Sequence, residues 1–263
     1  MENILVLEIP IFRPQYNSGK KYGYKNAEEK ENLKAVLENC SKSYCMYCYS
    51  RIRVDGKLNA NLEHAIEKKN SDKLIECVPN IGIACPTCNQ GYKRKGEKKR
   101  ILPPNIIQEY EKKSKCTVAN KKQCIVPCSA LRNLQKEYNA LKDGKIILQP
   151  MGIVGSDSKE NLTIQYDVLK MVFQPAYSFH TYSDEEKEII DTHIKRFRLN
   201  DSKHRTRQLG DFIKIIIDSG GKIPKYEYNN LIIEIFAERL EKKTETEILK
   251  ICEKIYSIIF LKI

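Results

Sequence analysis

A chain of 263 residues, 41% apolar and 30% charged, can bury a core without disulfides, and no low-complexity, collagen-like or long apolar tract marks it as disordered, fibrous or membrane-spanning. Its net charge of +12, from 46 basic and 34 acidic side chains, makes a polyanion the first partner to consider. Ten cysteines without a secretory leader suit metal ligation in a reducing compartment rather than a disulfide framework, so a cytoplasmic location is expected.

In chain order, residues 4–11 (Ile4, Leu5, Val6, Leu7, Ile9, Ile11) read as a buried strand bounded by Pro10 and Pro14. The spacing of Leu33, Val36 and Leu37 then predicts a helix over 26–39. Composition changes over 44–95, where cysteines, an Asp55-Gly56 turn, short alternating runs and His64 suggest a small metal-organised hairpin unit. A basic connector follows over 101–150, with a helix expected at 129–141 and stopped by Asp143-Gly144. Ser183 ahead of Asp184, Glu185 and Glu186 is a strong helix start, and further amphipathic segments at 229–243 and 244–259 make 151–263 mainly helical. The segmentation expected is therefore 1–43, 44–100, 101–150 and 151–263. His193 falls on the apolar phase of its helix and reads as core, whereas Arg196, Arg198, Arg205 and Arg207 form either a nucleic-acid or partner contact or a solvated helix end. His180 and His204 are isolated.

Chemistry concentrates in the metal-organised unit. Cys45-Met46-Tyr47-Cys48 and Cys85-Pro86-Thr87-Cys88 offer four thiolates, and a two-residue spacer lets each pair aim both sulfurs at one tetrahedral ion, naturally Zn²⁺. Two unrelated redox or buried pairs are the alternative. The 36 residues between the pairs exceed a zinc-ribbon interval of about fifteen to twenty, so the loop houses something else. Within it lie Glu63-His64 at the end of a predicted strand, Asn80 ahead of the run into Cys85, and Asn89 directly after Cys88. A carboxylate and an amide oxygen suit a hydrated divalent ion such as Mg²⁺, and a neighbouring imidazole can take a proton near neutral pH; hydrolysis of a phosphodiester needs both. A Glu-His dipeptide alone is commonly a surface or core accident. From 91 to 145 there are 15 Lys or Arg against 5 Asp or Glu, a pattern of a nucleic-acid footprint or of a solubilising face. Cys116, Cys124 and Cys128 fit no zinc knuckle and read as buried thiols, with a second metal site that draws in Cys40, Cys77 or a histidine as the alternative.

The succession Cys45, Cys48, Glu63, His64, Asn80, Ile81, Cys85, Cys88, Asn89 resembles the HNH endonucleases, whose ββα-metal finger is often clamped by two CxxC pairs. The resemblance covers residues 44–95. It departs from the commoner pattern at Glu63, where Asp is more usual, and at Asn89, which makes this an HNN variant. It implies an α+β fold, with a zinc-stabilised ββα-metal finger followed by a mainly helical C-terminal region. It further implies that His64 is the general base, that Glu63 and Asn89 hold one Mg²⁺ or Mn²⁺, that Asn80 pins the loop, and that Cys45, Cys48, Cys85 and Cys88 hold a structural Zn²⁺. Lys93, Arg94, Lys95, Lys98, Lys99 and Arg100 would bind phosphates of the nucleic acid, DNA before RNA. The general layout, with the finger early and Leu199-Asn200 followed by basic residues, is also similar to HNH subunits of bacterial anti-phage systems of the Septu and retron-associated kind, which would imply an ATPase partner. The competing expectation is a zinc module that binds nucleic acid or a partner protein and does not cut.

Overall fold

Val6–Glu8 (β1) lies at the edge of a three-stranded antiparallel sheet completed from far along the chain by Ile164–Asp167 (β6) and Val172–Pro175 (β7), in the order β1-β6-β7. The sheet belongs to a computed structural model that describes residues 3–114, 124–201 and 203–261; Cys116 and the side chains of His204 and Arg205 lie outside the residues described. Leu7 stands opposite Tyr166, and Tyr166 opposite Phe173, so one buried apolar row crosses all three strands. The predicted N-terminal strand is present but three residues long.

The helices form where capping and periodicity coincide. Asn26 accepts from Glu29 N to start Ala27–Cys40 (α1), which buries Leu33 and Leu37. Ser183 and Glu186 close a capping box on Asp184–Arg196 (α4), and Thr244 and Glu247 do the same for Glu245–Tyr256 (α7). Pro104–Lys113 (α2), Ser129–Ala140 (α3), Lys203–Asp218 (α5) and Leu231–Leu240 (α6) complete the set. Helix α2 packs on α3, and α5 on both α6 and α7.

Two shorter hairpins make the central unit. Arg53–Val54 (β2) and Lys57–Leu58 (β3) pair around Asp55-Gly56, both with positive φ as such a two-residue turn requires. Asn61–His64 (β4) pairs antiparallel with Ile81–Ala84 (β5), His64 facing Ile81 and Glu63 facing Gly82, and the helical segment Thr87–Lys93 follows directly.

The fold is thus mixed α and β, but the expected segments are not separate packing units. β1 is hydrogen-bonded to β6, so 1–43 and 151–263 share a sheet, and one continuous buried cluster runs from Leu7 through Tyr47 to Ile255. The 151–263 region also contains two strands, whose apolar alternation spans only four residues each and is too short to stand out against the helical signals. Cys124 and Cys128 are half-buried, not buried.

His193 of α4 is fully buried. Its Nδ1 accepts from Ile147 N at 3.2 Å and its Nε2 donates to Tyr47 O at 3.3 Å, an arrangement only the neutral ring satisfies. Burial pushes its pKa down to about 3, while the Tyr47 carbonyl works the other way and Arg196 adds to the depression. The unfolded chain therefore takes up this proton near pH 6.5, well before the folded one, so the stability tied to the neutral ring is complete above pH 6.5 and lost as pH falls toward 3. We expect the urea midpoint to fall steadily between pH 6.5 and 4, and His193→Gln, which keeps an acceptor for Ile147 N, to flatten that slope.

Candidate zinc-clamped hairpin site

Four cysteines are brought together where the Cys45–Cys48 turn docks on β5 and the second pair follows the end of that strand. The Cys45–Cys48 turn is closed by Tyr49 N to Cys45 O at 2.9 Å and docked on β5 through Met46 N to Ile83 O at 3.2 Å. The second pair begins where β5 ends, and Asn89 N to Cys85 O at 3.0 Å starts the helical segment. All four sulfurs lie within 4.8 Å of one another, and Cys48 Sγ and Cys85 Sγ are 3.8 Å apart. A tetrahedral ion with Zn–S bonds of about 2.3 Å separates its sulfurs by about 3.8 Å, so the cluster fits Zn²⁺. Backbone N–H groups of Cys85 and Cys88 point at the sulfurs of Cys45 and Cys85, each at 3.4 Å, as thiolates favour. Among the described residues this is the one cluster of His, Cys, Asp or Glu ligand atoms spaced for a metal ion.

The knuckle is also core. Tyr47 stacks on Phe197 (centroids 4.8 Å) and His193 (6.1 Å), and at the start of α6 Leu231 N donates to Tyr49 O while Arg51 N donates to Asn229 O. Cys45, Cys48 and Cys88 belong to the continuous core, and Cys85 packs against it.

Glu63 and His64 are neighbours on β4 and therefore face opposite ways. On the first face, Lys93 reaches back from the helical segment and spends its ammonium on Glu63 Oε1, His64 O and Ala65 O (the last at 2.6 Å), one acceptor for each hydrogen. Tyr47 Oη donates to Glu63 Oε2 at 2.5 Å; burial, then the Glu63 charge, holds this phenol well above its usual pKa and keeps it a donor. Both carboxylate oxygens are thus engaged, and Glu63 and Lys93 are 5% and 3% exposed. A magnesium-like ion retains several waters and needs an open carboxylate, so Glu63 does not fit the role expected of it. Asn89, on the same helical segment, is half-buried.

On the second face, His64 Nε2 lies 3.0 Å from Ile75 O, and Tyr24 packs edge-on against the imidazole with centroids 4.6 Å apart. The ring is 7% exposed. Burial lowers its pKa below 6.5; the Ile75 carbonyl and Glu63 oppose this, and Lys68 and Lys93 reinforce it. Asn80 is fully buried and pairs with both backbone groups of Ile66: Ile66 N donates to its Oδ1 and its Nδ2 donates to Ile66 O, each at 2.9 Å. Ala65 N to Asn80 O at 2.7 Å completes the neck of the 65–80 loop.

The expected phosphate-binding run is divided. Lys93 is inside, and Arg100, 1% exposed, donates to Glu67 Oε1 at 2.8 Å and to the carbonyls of Lys93 and Lys95, while Tyr138 Oη shares the same glutamate at 3.0 Å. These two cations hold the post-hairpin segment down and are not available to phosphates, which leaves Arg94, Lys95, Lys98 and Lys99 at the surface. Tyr47, Glu67 and Tyr138 were missed as partners because nothing in a lysine-rich run marks which cation turns inward.

A scan against protein-family models and searches of curated proteins and of solved structures return no match to this chain. Among the described residues no helix is long and apolar enough to cross a membrane.

Two outcomes follow. Purified protein is expected to carry one zinc per chain by elemental analysis, and Cys88→Ser to lose it together with much of its thermal stability. Lys93→Met should cost about 3–5 kcal/mol by leaving Glu63 buried and unpaired, and the pair variant Glu63→Gln/Lys93→Met should recover part of that loss in urea titrations.

Proposed function

We propose that this chain is an HNH-type endonuclease that hydrolyses phosphodiester bonds of nucleic acid, DNA before RNA, with His64 as general base. The observation that carries the reading is the contact between His64 Nε2 and the Ile75 carbonyl. A carbonyl only accepts, so Nε2 holds the ring proton and Nδ1 keeps its lone pair. A base with its tautomer fixed by the backbone and its charged form disfavoured by burial suits proton removal from water at neutral pH. The order strand, loop, strand, helix, with the second cysteine pair at the junction of the last strand and the helix, supports the same reading, as does the Asn80 clip at the neck of the loop that supplies the Ile75 carbonyl.

In this mechanism Nδ1 takes a proton from water as the water oxygen bonds to phosphorus. The bond from phosphorus to the 3′ oxygen breaks, and that oxygen is protonated from solvent, leaving 5′-phosphate and 3′-hydroxyl ends. Glu63 has no part in this chemistry, and no step uses an ion bound to it.

The second reading, a zinc-organised module that binds nucleic acid or a partner without cutting, is favoured by the engaged Glu63 carboxylate and the small exposure of His64. A paired assay separates the two. With Mg²⁺ or Mn²⁺ supplied, wild-type protein is expected to nick plasmid, and His64→Ala to keep its zinc and its binding while cleavage drops about 100-fold or more. Equal cleavage by both proteins would remove His64 as base; no cleavage by either would leave the binding module.

A further inference from the structure

We propose that Lys30 and Lys68, on the ring of Tyr24, seat the backbone phosphate of the nucleic acid on which His64 acts; this rests on the nuclease reading above. The argument begins with the alternation of β4. The Glu63 face is filled by Lys93 and Tyr47, so a phosphodiester that meets the imidazole must come from the other face, where Tyr24 stands against His64. There the Nζ atoms of Lys30 and Lys68 each lie 5.1 Å from the centroid of the Tyr24 ring. Among the described residues neither ammonium is ion-paired with a carboxylate, unlike Lys42, Lys93 and Arg100.

The three pieces are tied to one another around the imidazole. Tyr24 N and Lys25 N donate to the two oxygens of Glu76, both at 2.8 Å, which fastens this segment to the loop that carries Lys68 and the Ile75 carbonyl. Asn26, two residues after Tyr24, caps α1, and Lys30 lies in the first turns of that helix. Each ammonium lies over the Tyr24 ring, which itself packs on His64, and a cation–π contact leaves the charge of each in place.

The charge also suits the chemistry. Phosphodiester hydrolysis builds negative charge on the non-bridging oxygens, and two ammoniums carry the formal charge of the one divalent ion that Glu63 does not accept. Such a seat neutralises backbone and reads no base, so the ligand is a nucleic-acid phosphate without sequence preference. The run Arg94, Lys95, Lys98 and Lys99 follows Lys93, whose side chain enters the opposite face.

The test is fluorescence anisotropy of a labelled duplex and a labelled single strand against zinc-loaded protein, with no Mg²⁺ or Mn²⁺ added, over a series of salt concentrations. For Lys30→Ala/Lys68→Ala the slope of log affinity against log salt should become shallower by about 1.8 on duplex and about 1.4 on single strand. Lys30→Arg/Lys68→Arg should keep the wild-type slope, as should the exposed pair Lys142→Ala/Lys250→Ala. Zinc content and melting temperature, measured on each variant, should match wild type. The proposal is overturned if the alanine pair leaves the slope unchanged, if the control pair lowers it as much, if Arg94, Lys95, Lys98 and Lys99 account for all of it, or if wild type binds neither strand. A shifted slope with cleavage that does not depend on His64 would sink the nuclease and keep the seat; His64-dependent cleavage with an unshifted slope would do the reverse.

Discussion

The rest of the hairpin unit depends on four sulfurs converging from chain segments some forty residues apart. Once Cys45 and Cys48 meet Cys85 and Cys88, β5 and the helical segment Thr87–Lys93 have fixed starting directions, and β4 has a rigid partner to pair with. A metal held by this cluster would supply folding free energy to a region whose strands are only two to four residues long, which pairing alone would not hold. The residues between the first two sulfurs do the reverse service: Tyr47 delivers the cysteine knuckle to Phe197 and His193, so the hairpin unit and the helical layer pack on each other.

Buried charge is the second organising term. Glu63, Glu67, Lys93 and Arg100 lie inside a small region, and desolvating each ion is costly unless its partners are complete. Lys93 meets that condition with three oxygens, and Arg100 with a carboxylate and two carbonyls. Two of the Lys93 partners are backbone carbonyls, His64 and Ala65, so the same ammonium that neutralises Glu63 also fixes the chain at the end of β4. A carboxylate used this way sets geometry. It is not a free ligand, and the position before the histidine in this chain serves the architecture of the site.

How much of this was legible in the sequence varies with the range of the interaction. The two CxxC pairs, the Asp55-Gly56 turn, the helix over 26–39, the Ser183 helix start and the apolar phase of His193 are local signals, and each corresponds to the structure. Helix α5 was legible and missed, since Leu209, Phe212, Ile213 and Ile216 repeat at helical spacing under the distraction of a basic cluster. Lys93 and Arg100 were not legible. Their neighbours Arg94 and Lys99 have the same chemistry, and only tertiary placement of Glu63 and Glu67 decides which cations turn inward. The pairing of β1 with β6 spans more than 150 residues, and no short-range pattern encodes it.

The two faces of β4 bear on how a buried imidazole can act on a polyanion. In the free protein burial and the ammoniums of Lys68 and Lys93 all disfavour the imidazolium, which keeps Nδ1 available but also makes it a weak base. General-base catalysis is most effective when the pKa lies near the working pH. On the proposed reading, a phosphate seated on Lys30 and Lys68 would offset the Lys68 contribution and bring its own negative charge toward the ring, so binding of substrate would raise the basicity of the group that must use it. The Lys93 contribution is already offset by Glu63 on the other face, and substrate does not reach it. Under the proposed reading, the separation of a neutralised face from a cationic one would allow a histidine to rest unprotonated and gain basic strength when the phosphodiester arrives.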